Sequence, residues 1–288
     1  MKKFAVIDIG SKSVRLMFVA DGKVLYKRLQ TTRLGEGLAF SGVLGEQPIS
    51  RSVAAVAEFY GQAVAEGAEK ILVFATAAVR SAANGSAFVD EVKRACGATV
   101  QVISGETEAE IGILGALGNK DGGVIDVGGA STEIVIKKQG DIVYKKSVDV
   151  GVVRLKDVCG RDRETLFAHC YQKAELFADL PKIDSLCAIG GTATTLAALT
   201  LGLQEYDPAK ITGSVITAKA MRDLAEFLLT KSVDEIAKMP CMPKGRADVL
   251  TGGAVWLAVL MEEKGIEKLI VSDRDNLEGF AVKNGLME

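Results

Sequence analysis

Asp8 and Asp126 each follow a short apolar run, and each is followed by a turn of small residues, "DIGSKS" and "DVGGAS". A carboxylate at the edge of such a turn suits phosphate chemistry. Glycine lets backbone N–H groups converge on an anion, serine hydroxyls add donors, and the carboxylate can hold a hard cation that the anion shares. One such turn alone reads equally as a hairpin corner in which aspartate caps its own backbone. Its second occurrence weighs against that plainer reading. "VIDIGSKSVRLMFVADGKVLYK" from residue 6 and "VIDVGGASTEIVIKKQGDIVYK" from residue 124 align without a gap over 22 positions at an offset of 118, with eight identities. This implies a duplicated structural unit, and two such loops facing each other across a cleft could clamp a phosphate chain with a metal. The candidate phosphate-binding residues are Gly10, Ser11, Lys12 and Ser13 in the first loop and Gly128, Gly129, Ala130 and Ser131 in the second.

Other side chains could complete the chemistry. "VQVISGETEAEIGILGAL", residues 100–117, reads as a strand, a Ser-Gly break and a helix with Glu106, Glu108 and Glu110 near its start. The helix dipole favours acids there whatever their function. Steps of about 100° per residue set Glu106 and Glu110 nearly opposite Glu108. Glu108 shares its stripe with Ile111, Gly112 and Gly115, the face able to approach a neighbour closely. Glu133 stands two residues after Ser131, where the first copy has Arg15. Beside Asp126 it makes a candidate hard-cation site, the alternative being a solvent-facing strand position. Arg80, in "ATAAVRSAANG", could present a guanidinium to phosphate, or be a solvated surface charge. "LCAIGGTATTLAALTLGL" reads as a strand, then Gly190 and Gly191, then a threonine-capped helix whose free N–H groups, with Thr192, could meet an anion. His169 is the only histidine, so neither a Ser-His-Asp triad nor a multi-histidine metal site can be assembled.

The elements that must position these groups follow from the same repeat. After each turn the chain is rich in β-branched residues and punctuated by Asp21-Gly22 or Gln139-Gly140, so each unit reads strand, turn, strand, hairpin, strand, unlike the strand-to-helix turn of a dinucleotide site. A chain of 288 residues, 48% hydrophobic and 25% charged, suits two α/β domains, expected at 1–119 and 120–288, with a final helix near residues 276–285 packing back on the first. The first part carries 13 basic and 12 acidic residues and the second 22 and 25, which gives no support to generic nucleic-acid binding. Five widely spaced cysteines argue against zinc and disulfides and read as buried thiols. The opening apolar run breaks at Asp8, unlike a signal peptide, and no stretch suits a membrane helix, so a cytoplasmic protein is expected.

Taken in order, "DIGSKSVRL", "ATAAVRSAANG", "ISGETEAEIG", "VIDVGGASTEI", "VGVVRL", "AIGGTATTL", "GRADVLTGG" and "VSDRDNLEG" resemble the exopolyphosphatase and guanosine pentaphosphate phosphatase (Ppx/GppA) family. With its last residue at Glu288, the chain is similar to the short two-domain members. The resemblance implies two duplicated ribonuclease H-like domains of the actin-like ATPase superfamily around an interdomain cleft. It also implies release of the terminal phosphate from inorganic polyphosphate, or of the 5′-γ-phosphate from pppGpp, with Mg²⁺ or Mn²⁺. By the same resemblance Glu108 activates the attacking water, and Asp126 and Glu133 serve metal binding and catalysis. Asp8 is the acid of the first loop, and Arg80 contacts phosphate. A homodimer is expected on this ground alone. Lys12, Thr107 and Ala130 depart from the residues common at their places. A nucleotide-binding actin-like protein or sugar kinase is the reading of another class, although no sugar-binding acid motif follows the first domain.

Overall fold

Runs of Val, Ile, Leu and aromatic residues on either side of the Gly-Ser turns pair as antiparallel strands, and the apolar runs beyond them join in parallel. The computed structural model describes residues 2–287. Its first sheet contains β1 (Lys3–Ile9), β2 (Ser13–Ala20), β3 (Lys23–Thr31), β4 (Lys70–Ala75) and β5 (Val100–Val102), in the order β3-β2-β1-β4-β5. The second contains β6 (Gly122–Val127), β7 (Thr132–Lys138), β8 (Asp141–Val148), β9 (Ser185–Ile189), β10 (Val215–Thr217) and β11 (Lys268–Val271), in the order β10-β11-β9-β6-β7-β8. Read from β8, the second sheet retraces the first, with β10 added as an antiparallel edge. This is the duplicated ribonuclease H-like architecture. The hairpin corners match as well: Asp21 and Gly22 have φ of 49° and 74°, Gln139 and Gly140 of 54° and 87°. Left-handed geometry at both central residues is the turn that fits the twist of paired strands.

Asp8 and Asp126 lie inside β1 and β6, one residue before the end of each strand. The antiparallel register sets Asp8 directly opposite Arg15 and Asp126 directly opposite Glu133. Side chains of such partners share a face within contact distance, so the exchange of Arg15 for Glu133 between the copies falls beside each aspartate.

The last helix of each half crosses to the other. Helix Gly105–Leu117 leaves β5, yet its Ala109 and Ile113 pack in a core with Val124, Val135, Cys187 and Ile189 of the second sheet. Helix Asn276–Lys283 leaves β11, and its Leu277, Phe280 and Ala281 pack with Phe4, Val6, Met17 and Phe74 of the first sheet and with Ile111. The two helices touch backbone to backbone. A methyl group on Gly115 would overlap the Asp275 carbonyl, and one on Gly279 the Ile111 carbonyl. Separate cores lie under the first sheet, around Phe59 and Phe88, and under the second, around Trp256 of helix Ala247–Lys264.

Two smaller expectations need correction. Only Cys159, Cys170 and Cys187 are buried, while Cys96 and Cys241 are partly exposed; all five are unpaired. Helix Gly190–Thr200 has no threonine cap, since Ile189 occupies the cap position and Thr192 instead donates to the Val127 carbonyl at 2.9 Å. His169 lies on helix Arg163–Ala174, and no helix among the described residues is long and apolar enough to cross a membrane.

Candidate active site

The two Gly-Ser turns have the same internal closure, the Gly10 N–H donating to the Ser13 carbonyl and the Gly128 N–H to the Ser131 carbonyl, each at 3.0 Å. A segment following the third strand of each half straps each turn from behind. In the first, Gly35 N–H donates to the Ser11 carbonyl at 2.8 Å, and Thr32 and Arg33 N–H groups to the Lys12 carbonyl at 3.1 and 2.9 Å. In the second, Val152 and Val153 N–H groups donate to the Gly128 and Gly129 carbonyls at 3.0 and 2.8 Å, and Arg154 Nε to the Ala130 carbonyl at 2.8 Å. Gly35 and Val153 keep the offset of 118 seen between Ser11 and Gly129, so the duplication includes the strap. Engaged carbonyls free the turns to aim their N–H groups elsewhere. Gly129 lies against Ser11, where a methyl group would come within 2.8 Å of the Ser11 Cβ. The turns therefore meet across the molecule. Ala130 does not have a positive φ, so its departure from glycine introduces no strain.

Between the sheets lies a cleft of about 1390 Å³. Its walls include Asp8, the loop residues Gly10, Ser11, Lys12 and Ser13, then Glu108, Asp126, Gly128, Gly129, Ala130 and Ser131, and finally Gly190, Gly191 and Thr192. Glu133 and Arg80 stand one layer behind this wall. Arg80 Nη1 pairs with Glu108 Oε2 at 3.2 Å and donates to the Ile103 carbonyl at 2.9 Å, which holds it against the acid rather than free for an incoming anion. Glu133 is buried and accepts from Ser147 Oγ at 2.6 Å. Glu108 faces inward from helix Gly105–Leu117, whereas Glu106 and Glu110 pair outside with Lys145. Thr107 belongs to the helix cap, its N–H donating to Ser104 Oγ at 3.1 Å.

Burial and mutual repulsion dominate the electrostatics. Desolvation, then the charge of Glu133, push Glu108 well above the usual carboxylate range, with Arg80 opposing. Burial and Glu133 raise Asp126 to about 8. Burial raises Glu133 to about 7 against hydrogen bonds from Ser147 and Ser131. Asp8 is also raised by burial, although Arg15 lowers it in part. Four carboxylates thus crowd a dry corner with little cationic relief. Asp8 Oδ1 and Glu133 Oε2 are buried and without a hydrogen-bond partner.

The trio of Asp8, Asp126 and Glu133 is not a preformed metal cage. Among the described residues no three His, Cys, Asp or Glu side chains are gathered to hold an ion. Asp8 is drawn to Arg15, and Asp126 Oδ2 accepts from Asn276 Nδ2 at 2.9 Å. The unpartnered oxygens of Asp8 and Glu133 are nevertheless hard donors of the kind Mg²⁺ takes, since that ion is commonly held by one or two carboxylates together with phosphate oxygens and water.

Several residues of the site went unassigned from the sequence. Arg15 is largely buried and bridges Asp8 and Asp275. Burial would raise Asp275, but Arg15 and Lys27 outweigh it and hold this acid below its usual value. Lys27 pairs with Glu278 at 2.7 Å, and Arg246 lines the cleft beside Gly191. The motifs "VSDRDNLEG" and "GRADVLTGG" contain these partners without revealing what they face, because the contacts span the chain.

Comparison with known proteins agrees with this geometry. The Ppx/GppA phosphatase family matches residues 4–287. Exopolyphosphatase 2 of Mycobacterium tuberculosis is 29% identical, the match covering 98% of each chain. A guanosine-5′-triphosphate,3′-diphosphate pyrophosphatase of Photobacterium profundum is 28% identical over 99% of this chain but only 58% of its own length. The crystal structure of the Aquifex aeolicus member of the Ppx/GppA family superposes with a TM-score of 0.80 at 30% identity, covering 99% and 98% of the two chains.

Proposed function

Since the chain belongs to the Ppx/GppA phosphatase family, we propose that its cleft is the active site of an exopolyphosphatase, a hydrolase of phosphoanhydride bonds. The observation that carries this reading is the position of Glu108, buried at the cleft wall among Asp8, Asp126 and Glu133 and beside two strapped phosphate-sized turns. Water attacks the terminal phosphorus, the bridging P–O bond breaks, and orthophosphate leaves a polyphosphate shorter by one unit. Glu108 accepts the proton of that water. Its burial favours this role, because a carboxylate raised toward the working pH is a stronger base than a solvated one. Arg80 keeps the Glu108 carboxylate aimed from behind at 3.2 Å. The N–H groups of residues 11–13 and 129–131 cradle the phosphate oxygens from the two sides, so catalysis is mainly positioning and charge neutralisation. Asp8, Asp126 and Glu133 would hold Mg²⁺, or Mn²⁺ in its place, and the ion when bound neutralises phosphate charge.

Incubation with polyphosphate and Mg²⁺ should release orthophosphate, and Glu108→Gln should lower kcat about a thousandfold while the protein stays folded. Full activity in that variant would overturn the assignment. A second reading, removal of the 5′-phosphate of pppGpp on the same groups, is favoured by the similarity to the Photobacterium profundum enzyme. Assaying both substrates on one preparation separates the two.

A further inference from the structure

Asn276 is a polar side chain in a largely apolar place. It opens helix Asn276–Lys283 and is only 3% exposed. It lies over Gly112 of the other crossing helix, with Ile189 of β9 beside it. A methyl group on Gly112 would come within 3.1 Å of Asn276 Oδ1 and 3.2 Å of Ile189 Cδ1. Asn276 Nδ2 donates to Asp126 Oδ2 at 2.9 Å, across 150 positions of chain. This arrangement leaves Asn276 Oδ1 buried and without a hydrogen-bond partner. An orphaned acceptor costs stability, so a side chain kept here for packing alone would be apolar. A local rule broken in this way marks a residue retained for function.

Asp126 is an acid that needs holding. Among the charges acting on it, Glu133, Asp275 and Asp8 repel it and Arg15 attracts it. Its Oδ1 packs against Gly190, which has a φ of 79° and where a side chain would come within 2.5 Å of that oxygen. With Oδ1 against Gly190 and Oδ2 on Asn276, both ends of the carboxyl group are in contact. Asp8 is held differently, by the full cation of Arg15. A neutral amide sets the direction of the group and brings no countercharge, so neutralisation is left to what enters the cleft.

The amide is itself fixed. Asp275 Oδ1 caps the helix by accepting from the Leu277 N–H at 2.9 Å, and Glu278 Oε2 accepts from the Asp275 N–H at 3.0 Å. The close approach of Gly115 and Gly279 then seats this helix on the one that carries Glu108. Glu108 and Gly112 stand about one turn apart on one stripe of that helix. A single amide therefore touches both the element presenting Glu108 and the acid beside the second loop.

We propose that Asn276 is a positioning residue, which directs the Asp126 carboxylate and keeps it in register with Glu108. The proposal rests on the hydrolase reading above.

The test is Asn276→Ala, with folding checked by circular dichroism. In the folded variant kcat for polyphosphate should fall about 10- to 100-fold, the range for losing a partner that orients a ligating side chain, while KM stays within about twofold. A rise in KM with kcat unchanged would make Asn276 a substrate contact and overturn the proposal, as would unchanged kinetics. Gly112→Ala serves even if Asn276→Ala does not fold, because alanine suits a helix and its methyl group presses on the Asn276 amide. It should lower kcat about threefold, on the scale by which a misplacement of about 1 Å costs about a hundredfold. An unchanged kcat there also overturns the proposal. A crystal structure of Asn276→Ala reads the position without turnover. An Asp126 carboxylate turned away from Gly190 supports the proposal even where the wild type hydrolyses nothing, an outcome that would sink the hydrolase reading alone. A carboxylate that has not moved overturns the proposal whatever the activity.

Discussion

The two copies of the Gly-Ser turn share closure, strap and hairpin corner, but differ beside the aspartate. Opposite Asp8 stands Arg15, which ties that acid to Asp275; opposite Asp126 stands Glu133, which adds negative charge to a corner already crowded with it. The acid of the first half has a cation beside it, and the acid of the second has another carboxylate. A buried charge with its partner supports the fold, whereas buried charge without one stores a demand for a ligand. The difference teaches that duplication supplied the scaffold twice, and that the exchange of Arg15 for Glu133 sets the charge beside each aspartate.

The comparison can be broken first at the contact both halves depend on. Gly279→Ala should force the crossing helices apart at the Ile111 carbonyl and cost about 3 kcal/mol or more in a urea titration. An unmoved midpoint would show that the crossing is not tight. The next test separates the two aspartates. Arg15→Leu should destabilise by about 3 kcal/mol, because Asp8 is left buried and unpaired and Asp275 loses one of its two cations. Glu133→Gln should raise the melting temperature while lowering activity, because it removes a repelled carboxylate. Melting shifts of the same sign in both variants would contradict the asymmetry.

A smaller effect separates the straps. The first turn is held by backbone donors alone, the second also by Arg154, which in addition lies 3.4 Å from Ser81 Oγ in the first half. Arg154→Ala should raise KM for polyphosphate about tenfold with a smaller change in kcat, as expected for one lost hydrogen bond to a charged group. Loss in kcat alone would point to a role nearer the reacting atoms. The smallest effect is in pH. Burial lowers Lys12 to about 8, against the pull of Asp248. Below that pH the free enzyme carries the charge and above it the charge is lost, so kcat/KM for polyphosphate should decline as pH rises past about 8. Lys12→Arg should move the decline upward. An identical profile in the variant would assign the decline to another group.

Much of this molecule was legible because its signals are local. The repeat shows as two ungapped segments, and the hairpin corners and the inward face of Glu108 follow from residues a few positions apart. So does the contrast between Glu108 and its neighbours Glu106 and Glu110, since helical geometry fixes which way each points. Asp126 and Glu133 came together because the turn between them sets the register. The remainder depends on distant pairs that leave no periodicity: Arg15 with Asp275, Asn276 with Asp126, and Lys12 with Asp248. Arg80 was read as a phosphate contact, and its engagement by Glu108 and the Ile103 carbonyl could not be read from its surroundings in the chain. Thr192 looked like a cap because threonine often caps, and burial against the Val127 carbonyl took precedence.

The crossed helices have a bearing on how such a protein could arise. Helix Gly105–Leu117 completes a core belonging to the second sheet, and helix Asn276–Lys283 completes one belonging to the first. A single ancestral copy with the same habit would be unable to cover its own sheet and would finish folding only against a twin. What is now the interior of one chain has the form of a former subunit interface with exchanged arms, sealed by fusion of two genes. Two copies joined in one chain are free to differ, as they do at Arg15 and Glu133.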